Sequence, residues 1–173
     1  MLNEFMISAV VPTKNRSYDL LKFIDSLVIQ NFLPFELIVV DQSDESNFIK
    51  IQKKLASINI SLNYVHRTDI SSLVQAKSFA ISVAKGNYIC FLEDDIVLDA
   101  NFFAALIEGF IYEKKMIGSC GRISNMPRSS NLFIFFRSLF FRGIFNDPRL
   151  KIFNNKKSLF LIQCDTMCGG ITM

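Results

Sequence analysis

Three consecutive acids, Glu93, Asp94 and Asp95, follow an apolar run in the segment YICFLEDDIVLD, residues 88–99. Carboxylate oxygens suit Mg²⁺ and Mn²⁺, and nucleotide sites usually supply one or two of them beside the phosphates of the substrate. In a continuing strand, Glu93 and Asp95 would share one side and Asp94 would face elsewhere. One carboxylate could then hold a metal ion while its neighbour accepts a hydroxyl hydrogen bond. Taken alone, the three acids are explained more simply by a solvated turn with Asp99 as the N-cap of the next helix.

Short apolar strands and amphipathic helices alternate along the chain and must position these acids. Strands are predicted at residues 6–11, 35–41, 61–67 and 88–95. Helices are predicted at residues 17–31, 47–58, 72–84 and 100–115, with Ser17 as an N-cap and Gly86 as a left-handed residue after the third helix. Strands that are apolar throughout are typical of a parallel sheet covered by helices on both faces, so we expect an α/β fold.

Three polar clusters fall where predicted strands end, at residues 13–16, 41–44 and 93–95. In open α/β folds, ligands bind at the carboxyl ends of the strands, near a switch in strand order. The shared position of the clusters therefore makes the three acids candidates for a ligand site.

The composition fits one domain, with 173 residues of which 50% are hydrophobic. A net charge of +3 and the absence of a basic block in residues 1–120 argue against a dedicated nucleic-acid binder. The four cysteines lack the spacing of a disulfide framework, which predicts reduced thiols and a cytoplasmic location. Neither a signal peptide nor a membrane-spanning run is expected.

Four segments in order resemble the nucleotide-sugar-binding half of the family 2 glycosyltransferases, which have a GT-A fold. They are ISAVVPTKNR, ELIVVDQSDES, LVQAKSFAISVAKGNYICFLEDDIVLD and CDTMCGGITM. The likeness covers nearly the whole sequence and implies a Rossmann-like, mostly parallel sheet in one GT-A domain, residues 1–173. Residues 1–120 would form the nucleotide-sugar-binding part, and residues 121–173 would begin an incomplete acceptor-side part.

The resemblance also implies a role for each matching residue. It places the nucleotide-sugar beside Pro12, Thr13, Arg16, Asp41, Gln42, Lys77, Glu93 and Asp94. Within this set, Asp41 would hold the nucleotide and Asp94 would lie near the ribose. Asp95 would hold a Mn²⁺ or Mg²⁺ ion that bridges the diphosphate. The glycine pair Gly169 and Gly170 would lie on the acceptor side.

The chain departs from the family pattern at three points. Gln42 stands where many relatives carry a second acid, and Lys77 stands where an arginine is common. In relatives, the general base follows the glycine pair by a further helix-length segment, which would lie beyond Met173. We therefore expect a truncated domain or a fragment that binds donor without transferring sugar.

The expected activity is metal-dependent transfer of a sugar from a nucleotide-diphosphate sugar to a glycan or lipid-linked acceptor. Inversion is implied by the resemblance, as is a role in polysaccharide or glycoconjugate synthesis. One alternative is a nucleotidyltransferase or pyrophosphorylase, although PTKNR lacks the glycine-rich phosphate loop of that class. Another is a non-catalytic nucleotide-binding module of flavodoxin or receiver type. A receiver domain would have acidic residues after the first strand, where this chain has Lys14 and Arg16.

The phenylalanine-rich segment 131–153 carries interleaved basic residues and no clean strand alternation. It fits an acceptor-side flap, a membrane-surface helix at the inner face of the membrane, or core for a further part of the protein. The core interpretation is favoured, and peripheral membrane contact stays a possible role for this segment.

Overall fold

A computed structural model describes residues 5–113, 115–121, 130 and 132. Within these residues, strands and helices alternate along the chain. The strands are β1 (Ile7–Thr13), β2 (Glu36–Asp41), β3 (Ser61–His66) and β4 (Tyr88–Phe91). The helices are α1 (Ser17–Val28), α2 (Phe48–Leu55), α3 (Leu73–Val83) and α4 (Phe102–Tyr112). Among the described residues, no helix is both long enough and apolar enough to cross a membrane.

The four strands form one parallel sheet in the order β3-β2-β1-β4. The register pairs Thr13 with Asp41 and Asp41 with His66, so the carboxyl ends of β1, β2 and β3 lie level at one edge. The strand order reverses between β1 and β4, because β2 and β3 lie on one side of β1 while β4 lies on the other. A doubly wound sheet binds its ligands at such a switch point.

Both faces of the sheet are covered by helices, as the sequence predicted. Alternate strand residues such as Ala9, Val39 and Cys90 belong to a core cluster that also contains residues of α1, α2 and α4. The intervening residues, Val10 and Ile38 among them, pack in a second cluster with residues of α3. The α/β prediction is therefore confirmed.

Predictions for several element ends were wrong. Strand β4 ends at Phe91, four residues before its predicted end, so the acids follow the strand and do not belong to its pleat. The N-cap of α1 is Arg16, and Ser17 is the first helical residue. Asp99 is not the N-cap of α4 either: Asn101 holds that position, and its backbone N–H donates to Asp99 Oδ1 at 3.0 Å.

Gly86 is required by close backbone contact and does not adopt the predicted left-handed conformation. A Cβ at this position would lie 2.4 Å from the Met6 carbonyl oxygen and 2.7 Å from the Ser8 backbone nitrogen. The Gly86 N–H donates to Ser8 Oγ at 2.9 Å, and that hydroxyl donates to the buried Glu36 side chain at 2.6 Å. The Lys85 N–H donates to the same Glu36 oxygen at 2.6 Å, so this network fixes the entry to β4 against β1 and β2.

The Asp41 side chain organises the loop between β2 and α2. It is fully buried, and its Oδ1 accepts the Ser43 N–H at 2.9 Å. Its Oδ2 accepts hydrogen bonds from the Asn47 backbone N–H, the Asn47 side-chain amide and the Tyr64 hydroxyl. Helix α2 has no cap from the side chain of its own N-cap residue, Asn47, so the carboxylate of Asp41 satisfies donors at this helix start.

These hydrogen bonds decide the charge state of the loop. Burial would raise the pKa of Asp41, but the hydrogen bonds from Ser43, Tyr64 and Asn47 outweigh burial and hold that pKa below its ordinary value. A lowered pKa in the folded protein means that ionised Asp41 stabilises the fold. This contribution is complete above the unfolded-state pKa of about 3.9 and is lost as the pH falls through the folded-state value.

Replacing Gly86 with alanine should destabilise the fold by at least about 2 kcal/mol, because the new Cβ must push β1 away from the β4 entry. Urea unfolding monitored by circular dichroism measures the change. Lys85→Ala is the matched control: it removes an exposed side chain and keeps the backbone bond to Glu36. Wild-type stability in the Gly86→Ala protein would contradict the close contact.

Replacing Asp41 with asparagine should lower the free energy of unfolding by about 1–3 kcal/mol near neutral pH, because the amide cannot accept on both sides. The difference from wild type should shrink below about pH 4, where wild type loses the contribution of ionised Asp41. Urea unfolding from about pH 7 to about pH 3 tests this, with Glu45→Gln as a charge-matched control in the same loop. A difference that does not change with pH would refute this account of Asp41.

Candidate functional site

The acidic segment lies in a turn directly after β4, at the carboxyl edge of the sheet. Leu92 still extends the ladder, since its N–H donates to the Val10 carbonyl at 2.9 Å. Asp94 is then buried, with 5% of its surface exposed, while Glu93 is half-buried and Asp95 is exposed. Because the strand has already ended, pleating does not set the directions of these side chains. The expected separation of Asp94 from Asp95 is wrong, since both carboxylates contact Arg16 Nη1.

Asp94 joins β1 to the turn after β4 across the switch point. Its Oδ2 accepts the Thr13 hydroxyl at 2.7 Å, and its Oδ1 accepts Arg16 Nη1 at 3.2 Å. Thr13 is the last residue of β1, and Arg16 is the N-cap of α1. The buried carboxylate therefore has a neutral donor on one oxygen and a cation on the other.

Arg16 also contacts the second aspartate, so its guanidinium bridges two carboxylates. The same Nη1 atom lies 3.0 Å from Asp95 Oδ2. The hydrogen bond to Asp94 and the charges of both aspartates raise the pKa of Arg16 above its ordinary value. We call Thr13, Arg16, Asp94 and Asp95 the switch-point cluster.

The loop after β1 is joined to the loop after β2 by two reciprocal hydrogen bonds between Asn15 and Asp44. Asn15 Nδ2 donates to Asp44 Oδ2, and the Asp44 N–H donates to Asn15 Oδ1, both at 3.0 Å. The Asn15 N–H also donates to Ser43 Oγ at 2.7 Å. Asn15 has a φ of 55°, a conformation that asparagine tolerates better than most residues. Asn15 was not predicted as a site residue, although an asparagine in a turn-rich cluster is a signal for this geometry.

The remaining predicted nucleotide-binding residues lie around the same edge. Pro12 is buried within β1, and Gln42 is 6% exposed with its backbone N–H on the Thr13 carbonyl at 2.8 Å. Lys77 lies on α3, with its Nζ 5.4 Å from the centre of the Phe91 ring. The structure thus brings the members of the switch-point cluster into direct contact, while Asp41 makes its hydrogen bonds within its own loop and with β3. Gly169 and Gly170 lie outside the described residues.

The segment after the acids is attached to Ser26 of α1 and to two residues just beyond that helix, and these contacts were not predicted from the sequence. The Leu98 N–H donates to Ser26 Oγ at 3.0 Å. Gln30 Nε2 donates to the Asp99 carbonyl at 2.7 Å, and the Asn31 N–H donates to the Ala100 carbonyl at 2.9 Å. The acidic turn therefore contacts Arg16 at the start of α1, and the segment after it contacts Ser26, Gln30 and Asn31, near and just beyond the end of α1.

The donor set at this edge fits a divalent metal only in part. Among the described residues, no group of three or more histidine, cysteine or acidic side chains could enclose an ion. Asp94 is buried and binds Thr13 and Arg16, whereas the Asp95 side chain, which also pairs with Arg16, is 46% exposed. One accessible carboxylate suits Mg²⁺ or Mn²⁺ when phosphate oxygens and water complete the coordination.

The fold recurs in solved glycosyltransferase structures. The mannosyltransferase PcManGT from Pyrobaculum calidifontis, in complex with GDP-Man and Mn²⁺, matches with a TM-score of 0.57 and 19% identity over 69% of this chain and 36% of that one. TarS 1-349 of S. aureus, in complex with UDP-GlcNAc, matches with a TM-score of 0.54 and 20% identity over 73% of this chain and 38% of that one. At such low identity, these likenesses show the GT-A fold.

Sequence comparison shows the family. The Glycosyltransferase GlyG of Streptococcus pneumoniae is 28% identical over 131 residues, which is 76% of this chain and 43% of that protein. The chain thus spans less than half the length of this relative. The family model described as glycosyl transferase family 2 matches residues 8–171. With nearly its whole length matched, the chain belongs to glycosyl transferase family 2.

Proposed function

We propose that the chain forms the donor-binding part of a glycosyltransferase that moves a sugar from a nucleotide-diphosphate sugar to an acceptor hydroxyl. The observation that carries this proposal is the switch-point cluster, which gathers a hydroxyl, a guanidinium and two carboxylates where β1 and β4 diverge. Doubly wound sheets bind nucleotides at this position. Membership of glycosyl transferase family 2 supports sugar transfer as the chemistry.

The nucleotide would lie along the loops that follow β1 and β2. Pro12 and Thr13 would face the base and ribose, and the Gln42 amide can both donate to a base edge and accept from it. Lys77 would supply positive charge beside the base or diphosphate. Asp41 is fully buried and accepts hydrogen bonds from its own loop and from Tyr64 of β3, so we assign it to holding that loop beneath the nucleotide.

The acids would divide the remaining contacts between the ribose and a metal. Asp94 would lie near the ribose, with Glu93 at the first position of the motif, and Asp95 would bind Mn²⁺ or Mg²⁺. When bound, such an ion neutralises the charge that develops on the departing nucleotide diphosphate. The PcManGT structure in complex with GDP-Man and Mn²⁺ and the TarS 1-349 structure in complex with UDP-GlcNAc support a donor of this class.

The acceptor side of the proposal comes from the family resemblance. It comprises an inverting transfer to a glycan or lipid-linked acceptor, in polysaccharide or glycoconjugate synthesis at the cytoplasmic face of a membrane. Outside the described residues lie Gly169, Gly170 and the phenylalanine-rich segment 131–153, apart from Leu132.

The Asp95→Ala protein should lose the part of nucleotide binding that depends on metal, because it removes the accessible carboxylate of the cluster. Calorimetric titration with UDP, GDP and TDP, each with and without Mn²⁺, measures this part. We expect the gain in affinity that Mn²⁺ gives the preferred nucleotide to fall by about tenfold or more in the variant. Binding without metal should change little.

Asp69→Ala is the control for this experiment. Asp69 is an exposed acid beyond β3, the strand at the opposite edge of the sheet from β4, so its removal should leave metal-dependent binding intact. The metal assignment would be wrong if Asp95→Ala kept the full effect of Mn²⁺. If the wild-type chain bound none of the three nucleotides, the proposed function itself would fail.

A further inference from the structure

Arg16 pairs with Asp95, the carboxylate that we propose holds the metal ion. Its Nη1 atom lies 3.0 Å from Asp95 Oδ2 and 3.2 Å from Asp94 Oδ1. The exposed fractions of the side chains are 53% for Arg16, 46% for Asp95 and 7% for Asp94. The pair with Asp95 therefore faces solvent, where an approaching cation meets a guanidinium already in place.

The two ion pairs of Arg16 are unequal. Asp94 is buried and has Thr13 on its other oxygen, so loss of the guanidinium would leave a buried charge poorly compensated. The pair with Asp95 is exposed, and exposed pairs contribute little to stability because water screens them. Both contacts use Nη1, while a guanidinium carries five N–H groups on three nitrogens. A small rotation can therefore release Asp95 and keep Asp94.

We propose that Arg16 is a stand-in cation: it pairs with Asp95 until the donor diphosphate binds its guanidinium, and Asp95 would then be available to hold the metal ion. This inference rests on the proposed function. A guanidinium binds phosphate oxygens through paired hydrogen bonds, so the diphosphate is a suitable new partner for Arg16. Without nucleotide, repulsion between the metal ion and the Arg16 guanidinium would weaken metal binding at Asp95. The diphosphate would relieve this repulsion, because its negative charge pairs with the guanidinium.

Such an exchange makes metal and nucleotide bind with positive coupling. The nucleotide raises the affinity for metal, and by linkage the metal raises the affinity for nucleotide by the same factor. Part of this coupling comes from direct metal–phosphate bonds, which need no arginine. The part that depends on Arg16 is the part that a substitution at this position removes.

The test measures Mn²⁺ binding to the 173-residue chain from the electron paramagnetic resonance signal of free Mn²⁺, alone and with saturating UDP or GDP. Arg16→Gln should bind Mn²⁺ alone about three- to tenfold more tightly than wild type, because the competing charge is gone. The factor by which the nucleotide tightens Mn²⁺ binding should fall correspondingly. Arg16→Lys keeps the charge and should show a smaller change of the same sign.

Arg67→Gln is the matched control, since Arg67 forms an exposed pair with Asp69 beyond β3, at the far edge of the sheet from Asp95. It should leave Mn²⁺ affinity unchanged. Circular dichroism establishes that each variant is folded, and Arg16→Lys carries the test if Arg16→Gln does not fold.

Unchanged or weaker Mn²⁺ binding by folded Arg16→Gln, with nucleotide-dependent Mn²⁺ binding intact in wild type, would overturn the stand-in role and leave the proposed function standing. Absence of Mn²⁺ binding by wild type and every variant, with either nucleotide, would overturn both the stand-in role and the metal assignment of Asp95.

Discussion

A buried carboxylate must be stabilised by hydrogen-bond donors or by a cation, and Asp94 is the buried carboxylate on which this edge of the sheet depends. Its partners are Thr13, which ends β1, and Arg16, which begins α1. Both reach it only because β1 and β4 are neighbours in a parallel sheet. The hydrogen bonds that stabilise the charge of Asp94 therefore also tie the turn after β4 to the end of β1, across the switch point.

In the neighbouring loop after β2, a second buried carboxylate is stabilised by neutral donors. Asp41, fully buried, is stabilised by backbone and side-chain groups around the start of α2 and by the Tyr64 hydroxyl. The Asn15 pair with Asp44 then ties this loop to the one after β1. The carboxyl edge is thus one connected polar surface. Arg16, Asp94 and Asp95 lie at the switch point, and the charge of Asp41, which neutral donors stabilise, lies beside them. This division places the Arg16 guanidinium and the accessible carboxylate of Asp95 together where β1 and β4 diverge.

Sequence patterns predicted the strands, the helices and the edge at which the acids lie, because short-range hydrophobic periodicity decides these features. They did not predict which side chains meet. Thr13 and Asp94 are 81 residues apart, so their contact depends on a strand order that periodicity does not encode. The role of Gly86 was missed for the same reason, since the backbone it must avoid belongs to β1. The roles that the family resemblance implies for individual residues stay predictions.

The attachment of the acidic turn to α1 makes this helix a spacer that sets where the acids lie. Arg16 and Ser26 are about 15 Å apart along the helix axis at 1.5 Å per residue. Arg16 contacts Asp95, and Ser26 accepts the Leu98 N–H, so both ends of the segment 95–98 are tied to the same helix. The position of the acids relative to β1 therefore depends on the length and straightness of α1, and a change that bent the helix would shift the acids without altering either attachment residue.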